Sequence, residues 1–450
     1  MSRVITQVLL VGCLAGLVSA QCDWSEAFKL TASDAAAYDY FGGSTSISGS
    51  RVLVGAKGHM QAGAAYVFDT LSGTQLMELV PDDARSGDIF GRSVALDGSI
   101  ALVGSPRHNT AGITSSGAAY LFDVTTGTQL FELSANDASM GANFGWSVAL
   151  HGNLAAVGAY EDSDSASEAG AIYIFDTATG QQLFKLVHPL PADGDQLGWS
   201  VAIDGNIVIG SAPHDDGARD QAGAVHAFDA TTGAYIAKLT AEDGRRGDGF
   251  GQSVAIDGST VLVGASGDAF AGMSDAGSAY VFDLPSGNQV RKIIASDASA
   301  NASFGLGVAI RNGMAAISAG ADGQAAPLAG ALYIVDASSG HQLFKLFASD
   351  ADTGDRLGFT VSFDGSQVST GANSNDDAGS GSGSAYIFKP TIGINCLIDL
   401  NEDCHVDFFD IQQFLTWFVA ADPRADMNTD GLFDLVDVQL FLDLFSAGCP

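Results

Sequence analysis

Two stretches near the C-terminus carry the residue types and spacing for divalent-cation chemistry. Asp399, Asn401, Asp403, Asp407 and Asp410 stand at positions 1, 3, 5, 9 and 12 of a loop, with His405 at position 7. Asp426, Asn428, Asp430, Asp434 and Asp437 repeat that placement further on, with Leu432 at position 7. Calcium takes roughly six to eight oxygens around a sharp turn, and this spacing supplies them, position 7 through its backbone carbonyl. The aspartates of each loop repel one another unless a cation sits among them. Gly431 fills the turn position of the second loop, whereas Cys404 fills it in the first, so the first site is expected to be the weaker. Behind each loop apolar residues recur at helical spacing: Ile411, Phe414, Leu415 and Phe418, then Val438, Phe441, Leu442 and Phe445. The expectation is two calcium sites, each opening a helix.

Elsewhere the catalytic signals are sparse. The chain has no Gly-x-Ser-x-Gly, no His-Glu-x-x-His and no Cys-x-x-Cys. Its histidines are scattered, and His108 and His214 fall in polar loops where solvation is the ordinary outcome. The alternative is that they line one face with Asp215 and Asp216. A regular acidic pattern is clearer. Asp recurs seven residues ahead of successive Phe-Gly or Leu-Gly pairs (Asp34, Asp83, Asp137, Asp243, Asp297, Asp350), and two ahead of several (Asp39, Asp88, Asp195, Asp248, Asp355). These aspartates either cap local loops through backbone amides or form a ring of weak cation sites. The recurring Tyr66, Tyr120, Tyr173, Tyr280, Tyr333 and Tyr386 read as packing residues, with a sugar-stacking platform as the alternative.

The elements that must hold these residues come from a repeat. The Phe-Gly or Leu-Gly pair begins at Phe41, Phe90, Phe144, Leu197, Phe250, Phe304 and Leu357. An alternating run follows, such as Ser93-Val94-Ala95-Leu96, and then a tight-turn pair: Asp97-Gly98, Asp204-Gly205, Asp257-Gly258, Asn312-Gly313 or Asp364-Gly365. A second run reads Val52-Leu53-Val54-Gly55-Ala56, a third Gly63-Ala64-Ala65-Tyr66-Val67-Phe68-Asp69, and a fourth Gln75 to Leu79. Four short antiparallel strands per repeat of about 50 residues make a propeller blade. The last repeat stops near Pro390 without a fourth strand, and Glu26-Ala27-Phe28-Lys29-Leu30 matches the missing one. The N-terminus is therefore expected to complete blade seven.

Composition narrows the function. Nineteen Lys plus Arg against 52 Asp plus Glu leave a net charge of −33, which repels nucleic acid and anionic lipid. Residues 1–20 read as a signal peptide cleaved after Ala20, so the chain is expected to be secreted or attached at a cell surface, with no transmembrane segment. The expected division is a signal peptide (1–20), a propeller (21–389), a short linker (390–395) and a C-terminal module (396–450). The fold class is mainly β, a seven-bladed β-propeller followed by a small α-helical paired calcium-loop module.

The recurring Phe-Gly, Val-Gly-Ala and Gly-Ala-Ala-Tyr-Val-Phe-Asp phrases resemble the FG-GAP repeats of integrin-type β-propellers, which implies a ligand-binding ring. Relatives in that family carry calcium in loops of alternating aspartates, and Glu161-Asp162-Ser163-Asp164 and Asn375-Asp376-Asp377 come nearest to that pattern here. The C-terminal loops, each ending in Asp, resemble a type I dockerin module, implying docking to a cohesin-like or other surface protein. At the partner-facing positions Phe408-Phe409 and Leu435-Val436 depart from the polar or small residues of cellulosomal members. With Trp417 they are expected either to pack on the propeller or to form a hydrophobic dock. Cys396 and Cys449 bracket the module and are expected to pair, while Cys22 and Cys404 either pair or stay free. The favoured reading is an exported, non-catalytic binding or adhesion protein, with a polysaccharide or protein ligand on the propeller. The alternative is a secreted polysaccharide-degrading enzyme, a glycoside hydrolase or lyase.

Overall fold

Alternation of apolar and polar residues lays each repeat down as four short antiparallel strands. The first blade comprises Phe41–Ser48, Arg51–Ala56, Ala64–Asp69 and Gln75–Leu79, paired in that order. Five further sheets repeat this order along the chain. In the seventh, Val361–Phe363, Val368–Ala372 and Ser384–Thr391 are joined by Asp23–Leu30 as the outer strand. The expected closure by the N-terminus is thus present, and it covers an edge that would otherwise invite foreign pairing. The computed structural model describes residues 23–216, 221–284, 286–391, 400, 408–420, 422–427 and 432–447. The chain divides into a large unit, Glu26–Phe388, and a second that contains Lys389–Pro450.

The tight turns differ from expectation by one residue. Asp97 pairs with Ile100, Asp204 with Ile207 and Asp257 with Thr260, so each Asp ends its strand and the following Gly leads the turn. The freed carboxylates reach the neighbouring blade: Asp97 accepts from Gly152 N–H at 2.7 Å, Asp204 from Gly258 N–H at 2.8 Å and Asp257 from Asn312 N–H at 2.7 Å. Only at Asn312-Gly313 do both turn residues take positive φ, 52° and 75°, as an Asn-Gly turn allows.

Blades are joined through the two halves of the repeat motif. Phe90 N–H donates to Ala62 O at 2.9 Å, Phe144 N–H to Ser116 O at 3.1 Å and Leu197 N–H to Ala169 O at 2.8 Å. In six of the seven blades the Phe-Gly or Leu-Gly pair therefore bonds to the residue just ahead of the glycine that leads into the third strand of the blade before it. The contact is too close for a side chain. A Cβ on Gly117 would lie 2.0 Å from Phe144 O, at a backbone φ of +87°. In the five blades whose motif carries phenylalanine, its ring packs tilted or edge-on against the recurring Tyr. Phe90, for example, lies 5.7 Å from Tyr120 and 6.0 Å from Phe122, a geometry worth about 0.5–1.5 kcal/mol per pair beyond burial.

In the second unit, α1 (Phe408–Val419) and α2 (Leu435–Ala447) stack Phe414 on Phe441 at 4.2 Å with rings 5° from parallel. Ile411, Phe418, Val438, Leu442 and Phe445 pack around that pair, as the helical spacing predicts. Leu415 does not; it is 48% exposed, and Trp417 joins the cluster in its place. Trp417 also carries the Arg424 guanidinium 4.2 Å over its ring. Trp417, expected either to pack on the propeller or to join a hydrophobic dock, packs against the core of its own unit.

Gly117→Ala and Gly112→Ala separate the close approach from the φ requirement, since Gly112 has φ +81° and nothing near its would-be Cβ. Gly112→Ala is expected to cost on the order of 1 kcal/mol, and Gly117→Ala at least about twice that because backbone must move. Chemical denaturation of the two variants checks the difference.

Candidate functional site

The C-terminal loops are described only in part. Asp399, Asn401, Asp403, His405, Asp407, Asn428 and Asp430 lie outside the described residues, as do the expected signal peptide (1–20) and Cys22, Cys396, Cys404 and Cys449. The two position-12 carboxylates are described, and they behave alike. Asp410 and Asp437 are fully buried. Asp410 accepts from Leu400 N–H at 2.7 Å and Asp437 from Met427 N–H at 2.9 Å, in each case the residue at position 2 of the same loop. Asp437 also accepts from Asp434 N–H at 3.0 Å. Of the apolar pairs at loop positions 10 and 11, Leu435 and Val436 are exposed.

On the propeller, the aspartates two ahead of the motif cap their loops as expected. Asp88 accepts from Arg85 N–H at 2.9 Å and Asp355 from Asp352 N–H at 2.9 Å. Those seven ahead do something different. Each accepts the hydroxyl of the blade tyrosine: Tyr66 to Asp34 at 3.1 Å, Tyr173 to Asp137 at 3.0 Å, Tyr280 to Asp243 at 3.0 Å. The tyrosines are buried to within 1%, which agrees with packing and leaves no stacking platform. A lysine on the fourth strand completes the arrangement. Lys185 meets Asp137 at 2.6 Å and Asp162 at 3.1 Å; Lys292 meets Asp243 and Asp268, each at 2.6 Å; Lys345 meets Asp297 at 2.6 Å and Asp322 at 2.8 Å; and Lys29 pairs with Asp350 and Asp377. Burial works against ionising Asp137, Asp243, Asp297 and Asp350, yet the lysine and tyrosine bonds outweigh it and hold them below the usual carboxylate range. In these four blades the acidic ring carries its own cations.

Three blades depart from that scheme. In the first two, Glu78 and Glu132 replace the lysine, while His59 and His108 replace the second aspartate. Burial and then Asp34 raise the Glu78 carboxyl; burial and then Asp83 raise that of Glu132. His108, expected in solvent, is 2% exposed, because Asp88 draws its Nδ1 inward at 3.0 Å. His214 is exposed, as expected. In blade four His226 takes the tyrosine position and bonds Asp215 at 3.0 Å, with His188 stacked on it at 4.5 Å.

Sequence reasoning missed one constellation, at the central channel, where the first strands of the blades meet. The first strands of all seven blades line a cavity of about 240 Å³. The residue after the motif glycine points to it in every blade: Gly43, Arg92, Trp146, Trp199, Gln252, Leu306 and Phe359. Trp146 lies 5.3 Å from Trp199, and Tyr160 completes a half-buried trio at 4.6 and 5.3 Å. The Arg92 guanidinium sits 3.9 Å over Trp146. Burial pulls Arg92 down to about 10, and burial followed by Arg92 and Arg107 lowers Lys57. Arg92 thus lines the cavity, with Lys57 and Arg107 close enough to share its field, in a chain with net charge −33. The signal was available in Phe144-Gly145-Trp146-Ser147 and Leu197-Gly198-Trp199-Ser200, which place tryptophan at one register position in adjacent blades. Two aromatic faces beside cations can stack a flat ligand and neutralise its negative charge.

The FG-GAP repeat family model matches residues 24–68, 74–122, 128–175, 182–228, 235–282, 288–335 and 341–388. Each match begins with an outer strand, in keeping with the N-terminal closure. No curated protein matches the chain. Among the described residues no helix is long and apolar enough to cross a membrane.

Blade four makes a pH prediction. Burial lowers the His226 pKa, with Asp215 opposing it and His188 and Lys238 adding to it; Tyr235 is the other polar neighbour. A base depressed in the folded state stabilises the fold above its unfolded pKa of about 6.5 and loses that contribution as pH falls through the window below. His226→Tyr, which installs the residue of the other six blades, is expected to shrink the fall in Tm between neutral and mildly acidic pH. Thermal melts across that range check it.

Proposed function

Since the chain belongs to the FG-GAP repeat family of β-propellers, we propose that it is an exported, non-catalytic binding protein whose propeller takes an acidic polysaccharide at the channel mouth. The trio of Trp146, Tyr160 and Trp199 beside Arg92 carries this reading. Pyranose faces stack on indoles, and uronate carboxylates pair with Arg92, Lys57 and Arg107. Those three side chains make no ion pair with a carboxylate among the described residues, so their charge is free for a ligand. In so acidic a chain a local cationic mouth also focuses anions that the remaining surface repels.

Tryptophan fluorescence during titration with polygalacturonate tests the reading. Quenching is expected, weaker at high salt because the charges are partly exposed. Trp199→Ala and Arg92→Met are each expected to weaken binding at least about tenfold, which is roughly 1.4 kcal/mol. Equal binding of a neutral polysaccharide would remove the cations from the account, and release of unsaturated products would favour the enzyme reading.

The C-terminal module serves, in this proposal, as a calcium-dependent attachment to a surface or scaffold protein. The matching burial and loop-closing bonds of Asp410 and Asp437 support two equivalent loops, and exposed Leu435 and Val436 supply an apolar contact. Calcium is expected to bind the full chain at two sites of unequal strength. Asp426→Ala with Asp437→Ala is expected to abolish the tighter one while leaving the propeller's melting transition in place. Calorimetric titration of calcium into the chelator-treated protein measures both sites.

A further inference from the structure

In the first two blades the acidic network lacks its lysine and acquires a histidine, and both changes occur together. Among the described residues no Lys or Arg forms an ion pair with Asp34, Glu78, Asp83 or Glu132; their close partners are His59 and His108. We infer that blades one and two each hold a divalent transition-metal ion of the zinc class on a His–Asp–Glu triad, His59–Asp34–Glu78 and His108–Asp83–Glu132.

The geometry of blade one carries the argument. His59 is 3% exposed, and its Nε2 is a buried nitrogen without a hydrogen bond. That nitrogen faces Asp34 Oδ2 at 3.4 Å and Glu78 Oε1 at 3.9 Å, and one ligand atom from each residue lies within 4.8 Å of the others. A tetrahedral zinc about 2.0–2.2 Å from each ligand holds such atoms roughly 3.4 Å apart, so the triad closes on an ion with small side-chain movements. The surrounding bonds already orient the ligands. His59 Nδ1 meets Asp39 at 3.1 Å, and Asp39 accepts from Ala36 N–H at 2.8 Å. With its proton on Nδ1, the ring turns the Nε2 lone pair toward the triad, the carboxylate–histidine–metal arrangement. Tyr66 binds Asp34 Oδ1, leaving Oδ2 as the ligand atom.

Blade two repeats the design independently. His108 Nδ1 meets Asp88 at 3.0 Å, while Nε2 faces Asp83 Oδ2 at 3.2 Å and Glu132 Oε1 at 3.9 Å. Tyr120 binds Asp83 Oδ1 at 3.0 Å. Blade three shows what these sites replace: Lys185 Nζ stands among Asp137, Asp162 and Asp164 at 2.6 to 3.1 Å, a built-in cation where the first two blades would hold a metal. The third cluster, His188–Asp215–His226, differs because Lys238 already pairs with Asp215 at 2.5 Å. With three protein ligands each, and with Asp34 and Glu78 open to solvent, the sites leave a coordination position for an outside donor.

The test uses the full chain, stripped with chelator and then kept in excess calcium so that the acidic loops are filled. Zinc titration by calorimetry is expected to show two equivalents, and cobalt is expected to give visible absorption bands. His59→Asp with Glu78→Lys transplants the blade-three pair and is expected to remove one equivalent without lowering the metal-free Tm. Adding His108→Asp with Glu132→Lys is expected to remove the second. Should the transplants fail to fold, Glu78→Gln and Glu132→Gln keep the shape and are each expected to weaken zinc at their own blade at least tenfold. No zinc uptake by the native chain, or a stoichiometry and affinity unchanged in these variants, overturns the proposal; the first result would leave His59 and His108 as hydrogen-bonding partners of Asp39 and Asp88 alone.

Discussion

The ring depends on one close approach, the backbone contact between the motif Phe-Gly of each blade and the Gly-Ala that opens the third strand of the blade before it. Phe304 N–H reaches Ala276 O at 3.0 Å and Leu357 N–H reaches Ala329 O at 2.7 Å across such junctions. Any Cβ at Gly277 or Gly330 would stand 2.1 Å from the facing carbonyl. Six such bonds recur around the ring, including Phe41 N–H to Ser382 O at 3.0 Å where the last blade meets the first, and at the remaining junction a Cβ on Gly223 would stand 2.4 Å from Phe250 O. The phenylalanine is held by its backbone and its ring together, so the packing of Phe41 on Tyr66 at 5.7 Å follows from the same contact.

Fixing the blades this way brings carboxylates together at each blade, and the chain manages them by two routes. In four blades a lysine on the outer strand sits among the aspartates, with the tyrosine hydroxyl satisfying a remaining oxygen. In the first two the outer strand contributes a glutamate instead, and a buried histidine faces it. Like charges this close cannot all remain ionised without a counter-charge, so the exchange of Asp and Lys for His and Glu changes what the site can hold, and not merely its sign.

The channel mouth lies beside these sites in the chain: Lys57 is two residues from His59, and Arg107 adjoins His108. The loops that carry His59 and His108 thus also carry cations that lie near Arg92. His59, His108 and His226 are each held by an aspartate within their own blade.

The sequence alone determined the blade count, the four-strand repeat and the closure of blade seven by the N-terminus, because each rests on local periodicity and on turn chemistry that survives in a linear string. It also placed two helices behind two acidic loops, although Leu415 and Trp417 exchanged roles once a partner helix chose which face to cover. Tertiary structure decided the rest. That Asp34 serves Tyr66 instead of its own loop, that His108 is buried, and that Arg92, Trp146 and Trp199 share one mouth are consequences of closing the ring. Closure brings residues from different strands and repeats to the same point, and proximity of that kind leaves no periodic mark along the chain.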